Sequence, residues 1–221
     1  MKVALLGNGK TGGKVLYLHS NTEIFNRSNM PTKEKLNNCD VVISFLPGDI
    51  FVEYIPMLIE SRIPVVTGST GFKWNEQVVL TIKENHLKWV NAHNFSLGMN
   101  LVKSMIETMG KAEMLFEDVE FNIHDRHHVH KVDSPSGTAL SWKDWLGHEV
   151  TITAERVGDV IGYHHIEMNT PVESIKITHE AKDRAIFARG ALWAAERLVN
   201  DTTIEYGLTH FSELVKKHLK I

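Results

Sequence analysis

His127, His128 and Lys131, followed by Pro135-Ser136-Gly137-Thr138, fall within one stretch of twelve residues. Histidine titrates near neutral pH, so His127 and His128 can give and take protons under ordinary conditions. Lys131 adds a fixed cation nearby. Pro135 breaks the backbone just before Ser136, where a helix can begin. The first N–H groups of a helix have no internal partner, so Ser136, Gly137 and Thr138 offer backbone and hydroxyl donors to a carboxylate. A cation, an anion-binding helix start and two titratable rings suit a small acid that is protonated as it reacts. His130 reads as a residue without a role. Asp133 reads as an Asx-type turn that holds the loop before Pro135.

A second constellation lies at the other end of the chain. Gly7-Asn8-Gly9-Lys10-Thr11-Gly12 has the form G-x-G-x-x-G, directly after an apolar strand and before a helix. In that context the first glycine permits a tight turn. The second lets backbone approach a pyrophosphate, and the third lets helix pack on strand. The motif therefore predicts a dinucleotide. The next strand ends in Phe25-Asn26-Arg27-Ser28, without the acidic residue that binds the ribose hydroxyls of NAD. Arg27 can pair with a 2′-phosphate, or it is simply a solvated loop cation. The expected cofactor is NADPH, with NADH possible. Two further loops follow strands, where ligands of such sheets bind: Phe45-Leu46-Pro47-Gly48 and Thr67-Gly68-Ser69-Thr70-Gly71-Phe72. A plain turn is the competing reading of the latter.

The elements that must position these residues can be read from periodicity. Strands are predicted at 2–6, 22–25, 40–45, 64–67 and 88–91, with helices at 14–19, 50–61 and 74–85 between them. Strand and helix in alternation imply a parallel sheet with helices on both faces. After Phe95 the pattern changes. Helices at 100–115, 136–146 and 186–198, with strands at 119–124, 149–156, 164–168 and 174–179, suggest an α+β unit. The segment 202–221 ends in a helix and is expected to return to the first unit. The fold class is α/β: a Rossmann-type dinucleotide-binding domain (1–96 and 199–221) plus an α+β second domain with a mixed sheet (97–198).

Composition narrows the function classes. The 221 residues suffice for one large or two small cores, and 43% are hydrophobic. No apolar run approaches the roughly 18 residues that a membrane helix needs. The N-terminus opens on a strand without the features of a signal peptide. A net charge of −3 argues against a nucleic-acid binder. The single cysteine, Cys39, reads as a structural thiol in a reducing cytoplasm. No metal is expected.

The twelve-residue stretch resembles the signature of the 4-hydroxy-tetrahydrodipicolinate reductase (dihydrodipicolinate reductase) family, H-H-x-x-K-x-D-x-P-S-G-T. It matches at His127, His128, Lys131, Asp133, Pro135, Ser136, Gly137 and Thr138. The likeness continues along the chain. Gly68-Ser69-Thr70-Gly71-Phe72 is similar to the family's G-T-T-G-[FW] loop. Asn94-Phe95-Ser96-Leu97-Gly98-Met99-Asn100 resembles its N-F-S-x-G-x-N hinge segment. Arg156 to His164 resembles its R-x-G-x-x-x-G-x-H stretch, and Ile177-Thr178-His179 its late core segment.

The resemblance implies transfer of a hydride from a nicotinamide to a cyclic dicarboxylic substrate, with loss of water, in lysine and diaminopimelate synthesis. By matched position His127 would be the general acid/base, and Lys131 a proton donor and carboxylate partner. His128 and the Gly137-Thr138 backbone would hold substrate carboxylates. Gly68, Ser69 and Thr70, with Ala92, His93, Asn94 and Phe95, would contact the cofactor. The resemblance, rather than periodicity, also implies that the second domain (97–198) serves substrate binding and oligomerisation, with a homotetramer built through its sheet. The chain departs from the pattern in three ways. Asp125 stands where relatives carry Glu, His93 where a small or apolar residue is common, and the loops before 40 and before 156 are short. Two other readings share the glycine loop: a dehydrogenase of another amino-acid-derived substrate, and a non-enzymatic NADPH sensor. Neither requires the full motif at 127–138.

Overall fold

The computed structural model describes residues Met1–Lys220; Ile221, the last residue of the expected segment 202–221, lies outside the described residues. The chain divides into two compact units. Met1–Leu97 and Arg184–Ile221 form one, and Gly98–Asp183 the other.

The first unit is built on six parallel strands: β1 (Val3–Leu6), β2 (Thr22–Phe25), β3 (Val41–Ser44), β4 (Val65–Thr67), β5 (Lys88–Asn91) and β10 (Gly207–His210). Their spatial order is β10-β5-β4-β3-β1-β2. From β1 the chain moves outward to β2, then returns to β3 on the other side, so the strand order reverses between β1 and β3. Ligands of open parallel sheets bind beyond the carboxyl ends at such a reversal. Side chains alternate across the sheet. Val3, Leu5, Val41 and Ile43 join one buried cluster, whereas Ala4, Leu6 and Val42 join the other. Both faces are thus covered, which explains the uninterrupted apolar runs of β1 and β3. The connecting helices are α1 (Gly12–Leu18), α2 (Lys33–Leu36), α3 (Gly48–Ser61) and α4 (Glu76–Glu84), with α8 (Phe211–Leu219) following β10.

Helix α7 (Ala185–Asn200) corrects the expected boundary. The sequence reading placed 97–198 together, but α7 packs on α1, β3, β4 and β5 of the first unit. The reason is its buried stripe of Ala188, Gly190, Ala191, Ala194 and Ala195, which lets the helix lie close to the sheet. A side chain at Gly190 would stand 1.7 Å from the Phe95 carbonyl oxygen. Two short elements, α2 and β10, were not read from the sequence. Four residues are too few to show a period.

The second unit has a four-stranded mixed sheet formed by β6 (Glu120–His127), β7 (Thr151–Arg156), β8 (Tyr163–Asn169) and β9 (Ser174–Glu180), in the order β7-β6-β8-β9. β6 and β7 run parallel through helix α6 (Gly137–Leu146), and the other pairs are antiparallel. Helix α5 (Leu97–Ala112) and α6 bury Met99, Val102, Ile106, Ala139 and Trp142 against Phe121, Ile123, Ile166, Met168 and Ile177. The opposite face carries His124, Arg126, Tyr163, His165 and Glu167, none of which joins that core. No helix among the described residues is long and apolar enough to cross a membrane.

Candidate active site

β6 is longer than the sequence suggested, and this decides the chemistry. Its burial alternates strictly, with Phe121, Ile123, Asp125 and His127 facing inward. His127 therefore sits on the last inward position of a strand rather than in a loop. Asp125, two residues earlier, is fully buried. A buried carboxylate is costly unless its lone pairs are used. Here they are. Asp125 Oδ2 accepts from Ser136 N at 2.9 Å and from Arg156 Nη2 at 3.2 Å, and Oδ1 accepts from the Ser136 hydroxyl at 2.8 Å. His127 Nδ1 and His164 Nε2 lie 2.8 Å and 3.3 Å from Oδ1. The His127 contact has hydrogen-bond length without hydrogen-bond alignment.

Burial pushes the Asp125 carboxyl upward. The two Ser136 hydrogen bonds and the neighbouring histidines outweigh it and hold its pKa below the ordinary carboxylate value. Burial pulls His127 below the usual imidazole value; Asp125 opposes this, while Lys131 and Arg156 add to it. His164 is pushed down to about 4 by burial and by His127. The site thus holds one ionised carboxylate and two imidazoles that favour the neutral form. A neutral His127, with Nδ1 turned to Asp125, presents Nε2 as the group that exchanges protons. Gly162 makes room for the ring, since a side chain there would lie 3.3 Å from Nε2.

Helix α6 begins where the sequence placed an anion site. Ser136 caps it, accepting from Ala139 N at 3.2 Å while donating to Asp125. One serine thus ties the helix start to the buried carboxylate. Ser136 itself is buried, and its N–H is spent on Asp125, so the remaining donors of this turn are Gly137 N, on an exposed residue, and the half-buried Thr138 side chain. The expected Asx turn at Asp133 is corrected. Its carboxylate reaches Lys131 Nζ at 2.7 Å and Gly137 N at 3.3 Å. Arg156 donates to its backbone carbonyl. His128 is half-buried and His130 exposed, with ring centroids 6.2 Å apart. The structure brings His127, Lys131 and the α6 start together through Asp125, Asp133 and Arg156. Sequence reasoning gave no role to Asp125, Arg156 or His164. Asp125 and His127 show period-two spacing with Ile123, and that was the available signal.

Asp125, His127 and His164 also offer ligand atoms within 4.8 Å of one another, the geometry of a cation site. The carboxylate is already committed to Ser136 and to the Arg156 cation, which disfavours a second positive charge.

The glycine loop of the first unit has the form the sequence predicted. Gly7 has φ +86°, a conformation open to glycine. A Cβ at Gly12 would stand 2.0 Å from the Gly7 carbonyl oxygen, whereas at Gly9 it would meet nothing within 4 Å. Gly9 thus leaves its backbone bare toward open space, the cradle a pyrophosphate needs. Asn8 and Lys10 are exposed, and the Thr11 hydroxyl makes no capping bond. Phe45, after β3, packs edge-on against Phe95 at 6.1 Å. After β4, Gly68 N donates to Ser44 O, the Ser69 hydroxyl meets that of Ser44 at 3.2 Å, and exposed Thr70 accepts from Gly48 N. After β5, Ala92 N donates to Thr67 O, His93 is exposed and the Asn94 side chain accepts from Ser96 N. All these loops lie at the carboxyl ends of β1, β3, β4 and β5. Arg27 is exposed at the tip of a turn closed by Asn26, whose side chain accepts from Ser28 N and Asn29 N. Glu23, the nearest acid on β2, is paired with Lys2 at 2.7 Å.

The dihydrodipicolinate reductase N-terminal family profile matches residues 8–95, and the C-terminal profile matches residues 98–211. A 4-hydroxy-tetrahydrodipicolinate reductase from Christiangramia forsetii is 31% identical over 92% of this chain and 95% of its own. One from Alkaliphilus metalliredigens is 29% identical over 84% of each. Among solved structures, a dipicolinate-bound dihydrodipicolinate reductase from Paenisporosarcina sp. TG-14 has the same fold, with a TM-score of 0.77 at 20% identity over 95% of this chain and 97% of the other. With both profiles matched in order over nearly its whole length, the chain belongs to the dihydrodipicolinate reductase family, a family of pyridine-nucleotide-dependent reductases.

Proposed function

We propose that the chain reduces 4-hydroxy-tetrahydrodipicolinate to tetrahydrodipicolinate, with loss of water, in lysine and diaminopimelate synthesis. The carrying observation is the Asp125–His127 pair beside Lys131 and the α6 start. The reduction removes hydroxide as water, adds hydride to the ring and consumes one proton. A bound nicotinamide supplies the hydride. His127 moves protons at Nε2, because Asp125 engages Nδ1. Lys131 supplies a proton and a counter-charge. His128, Gly137 N and the Thr138 hydroxyl hold the carboxylates, and Ser136 fixes the helix start that presents them. Gly7, Asn8, Gly9, Lys10, Thr11 and Gly12 would cradle the pyrophosphate. Phe45, Gly68, Ser69, Thr70 and Ala92–Phe95 would border the nicotinamide half.

NADPH is the preferred cofactor in this reading. Glu23 is tied to Lys2, and exposed Arg27 is available for a 2′-phosphate. The assembly is a homotetramer, and the reaction belongs in the cytoplasm, where a lone reduced cysteine is at home.

The test is a coupled assay in which the preceding synthase makes substrate from pyruvate and aspartate semialdehyde. Oxidation of NADPH or NADH is followed at equal concentration. Oxidation is expected with NADPH foremost, and failure with both cofactors rejects the activity. Arg27→Ala should raise the KM for NADPH far more than for NADH, and equal effects would reject the phosphate contact.

A further inference from the structure

The donors assigned above to a substrate carboxylate already serve a carboxylate of the chain. One oxygen of Asp133 takes Lys131 Nζ at 2.7 Å, and the other takes Gly137 N at 3.3 Å. Each oxygen serves a different donor, as a substrate carboxylate would. Lys131 has three protons and can serve two acceptors at once. Gly137 has a single N–H and cannot. A substrate carboxylate that binds Gly137 N must therefore displace Asp133 from it.

Displacement is structurally cheap. The 3.3 Å bond is long, and the Asp133 side chain is 53% exposed. Its backbone is held separately, by Arg156 on the carbonyl oxygen, so a rotation of the side chain alone clears the donor. The space beside Gly137 is open as well: a Cβ built there meets nothing within 4 Å. Arg156 cannot supply the missing counter-charge, because it is engaged with Asp125. Lys131 then faces both Asp133 and the incoming anion.

The geometry points to Asp133 as a resident stand-in for the substrate carboxylate: it pairs with Lys131 and Gly137 N, is displaced when a dicarboxylate binds, and returns as product leaves. This inference rests on the carboxylate site proposed above. It makes Asp133 a positioning residue that lowers affinity and speeds release, the reverse of a binding residue. An exposed ion pair is a weak competitor, so its removal should tighten anion binding by about two- to five-fold.

The experiment measures dipicolinate (pyridine-2,6-dicarboxylate) binding by calorimetry to wild type, Asp133→Asn and Asp133→Ala, alongside steady-state kinetics. Both variants are expected to bind dipicolinate more tightly, Asp133→Ala more than Asp133→Asn, since the amide oxygen can still accept from Gly137 N. KM and kcat for the reductase should fall together, a pairing that simple loss of structure would not produce. If wild type binds dipicolinate and both variants bind it equally well or more weakly, the stand-in role is overturned alone. If wild type does not bind it, the carboxylate-site reading falls, and this inference with it.

Discussion

Asp125 can lie on the inward face of β6 because five contacts from four residues use its two oxygens. That arrangement makes His127 directional: one nitrogen is turned to Asp125 and the other left for chemistry. Replacing His127 by Gln, or Lys131 by Ala, should lower kcat by about 10²-fold or more, the usual scale of lost proton transfer. Near-normal rates with a normal melting curve would reassign the proton steps. The same cluster predicts acid sensitivity. The unfolded His164 takes up a proton near its ordinary value of 6.5, and the folded one only near 4. Between those values the unfolded chain binds more protons, so stability falls as pH is lowered from 6.5 towards 4, by on the order of 3 kcal/mol from this group. Urea midpoints at pH 7.5 and pH 4.5 measure the loss, and His164→Gln should reduce it; a pH-independent midpoint in wild type contradicts it. His127, Lys131 and the α6 start were legible in the sequence because they cluster within one short segment. Arg156 and His164 reach Asp125 from β7 and β8, and linear spacing carries no sign of that pairing.

At the scale of elements, close approach decides which glycines matter. Alanine at Gly190 would gain about 1 kcal/mol of helix propensity. Its Cβ would also collide with the Phe95 carbonyl oxygen, which is backbone and cannot move aside cheaply. Overpacking of this kind costs about 1–3 kcal/mol or more. Gly190→Ala should therefore lower Tm by several degrees, whereas Gly9→Ala, whose Cβ meets nothing, should leave Tm unchanged and weaken cofactor binding. Thermal melts and cofactor titration separate the two, and an unchanged Tm for Gly190→Ala would contradict the packing argument. Apart from β10, the strands of both sheets were legible because buried runs and alternation are local patterns. The sheet partner of α7 was not, since an alanine stripe shows that a helix packs closely without showing on what.

At the scale of the molecule, the mixed sheet of the second unit has one face in its own core and one bearing Arg126, Tyr163, His165 and Glu167. Arg126 lies 4.6 Å over the Tyr163 ring. If four copies of this 25.1 kDa chain meet through that face, light scattering should report about 100 kDa. Arg126→Glu should shift the mass downward. A monomeric wild type would reject the assembly. The two-part organisation was legible as a change of pattern after Phe95. The point of return was not, because the crossing back at Arg184 falls in a short connection with no compositional mark.

The discontinuity of the first unit has a bearing on biosynthesis. The six-stranded sheet needs β10 beside β5 and α7 over its middle strands, and both are translated only after residues 98–183. As the chain emerges, the second unit is complete while β5 is still an unpaired edge and the apolar face that α7 will cover is bare. Unpaired edges and uncovered faces invite association with other chains. The interval between the synthesis of Asn91 and that of His210 is thus the span in which this protein most needs a chaperone.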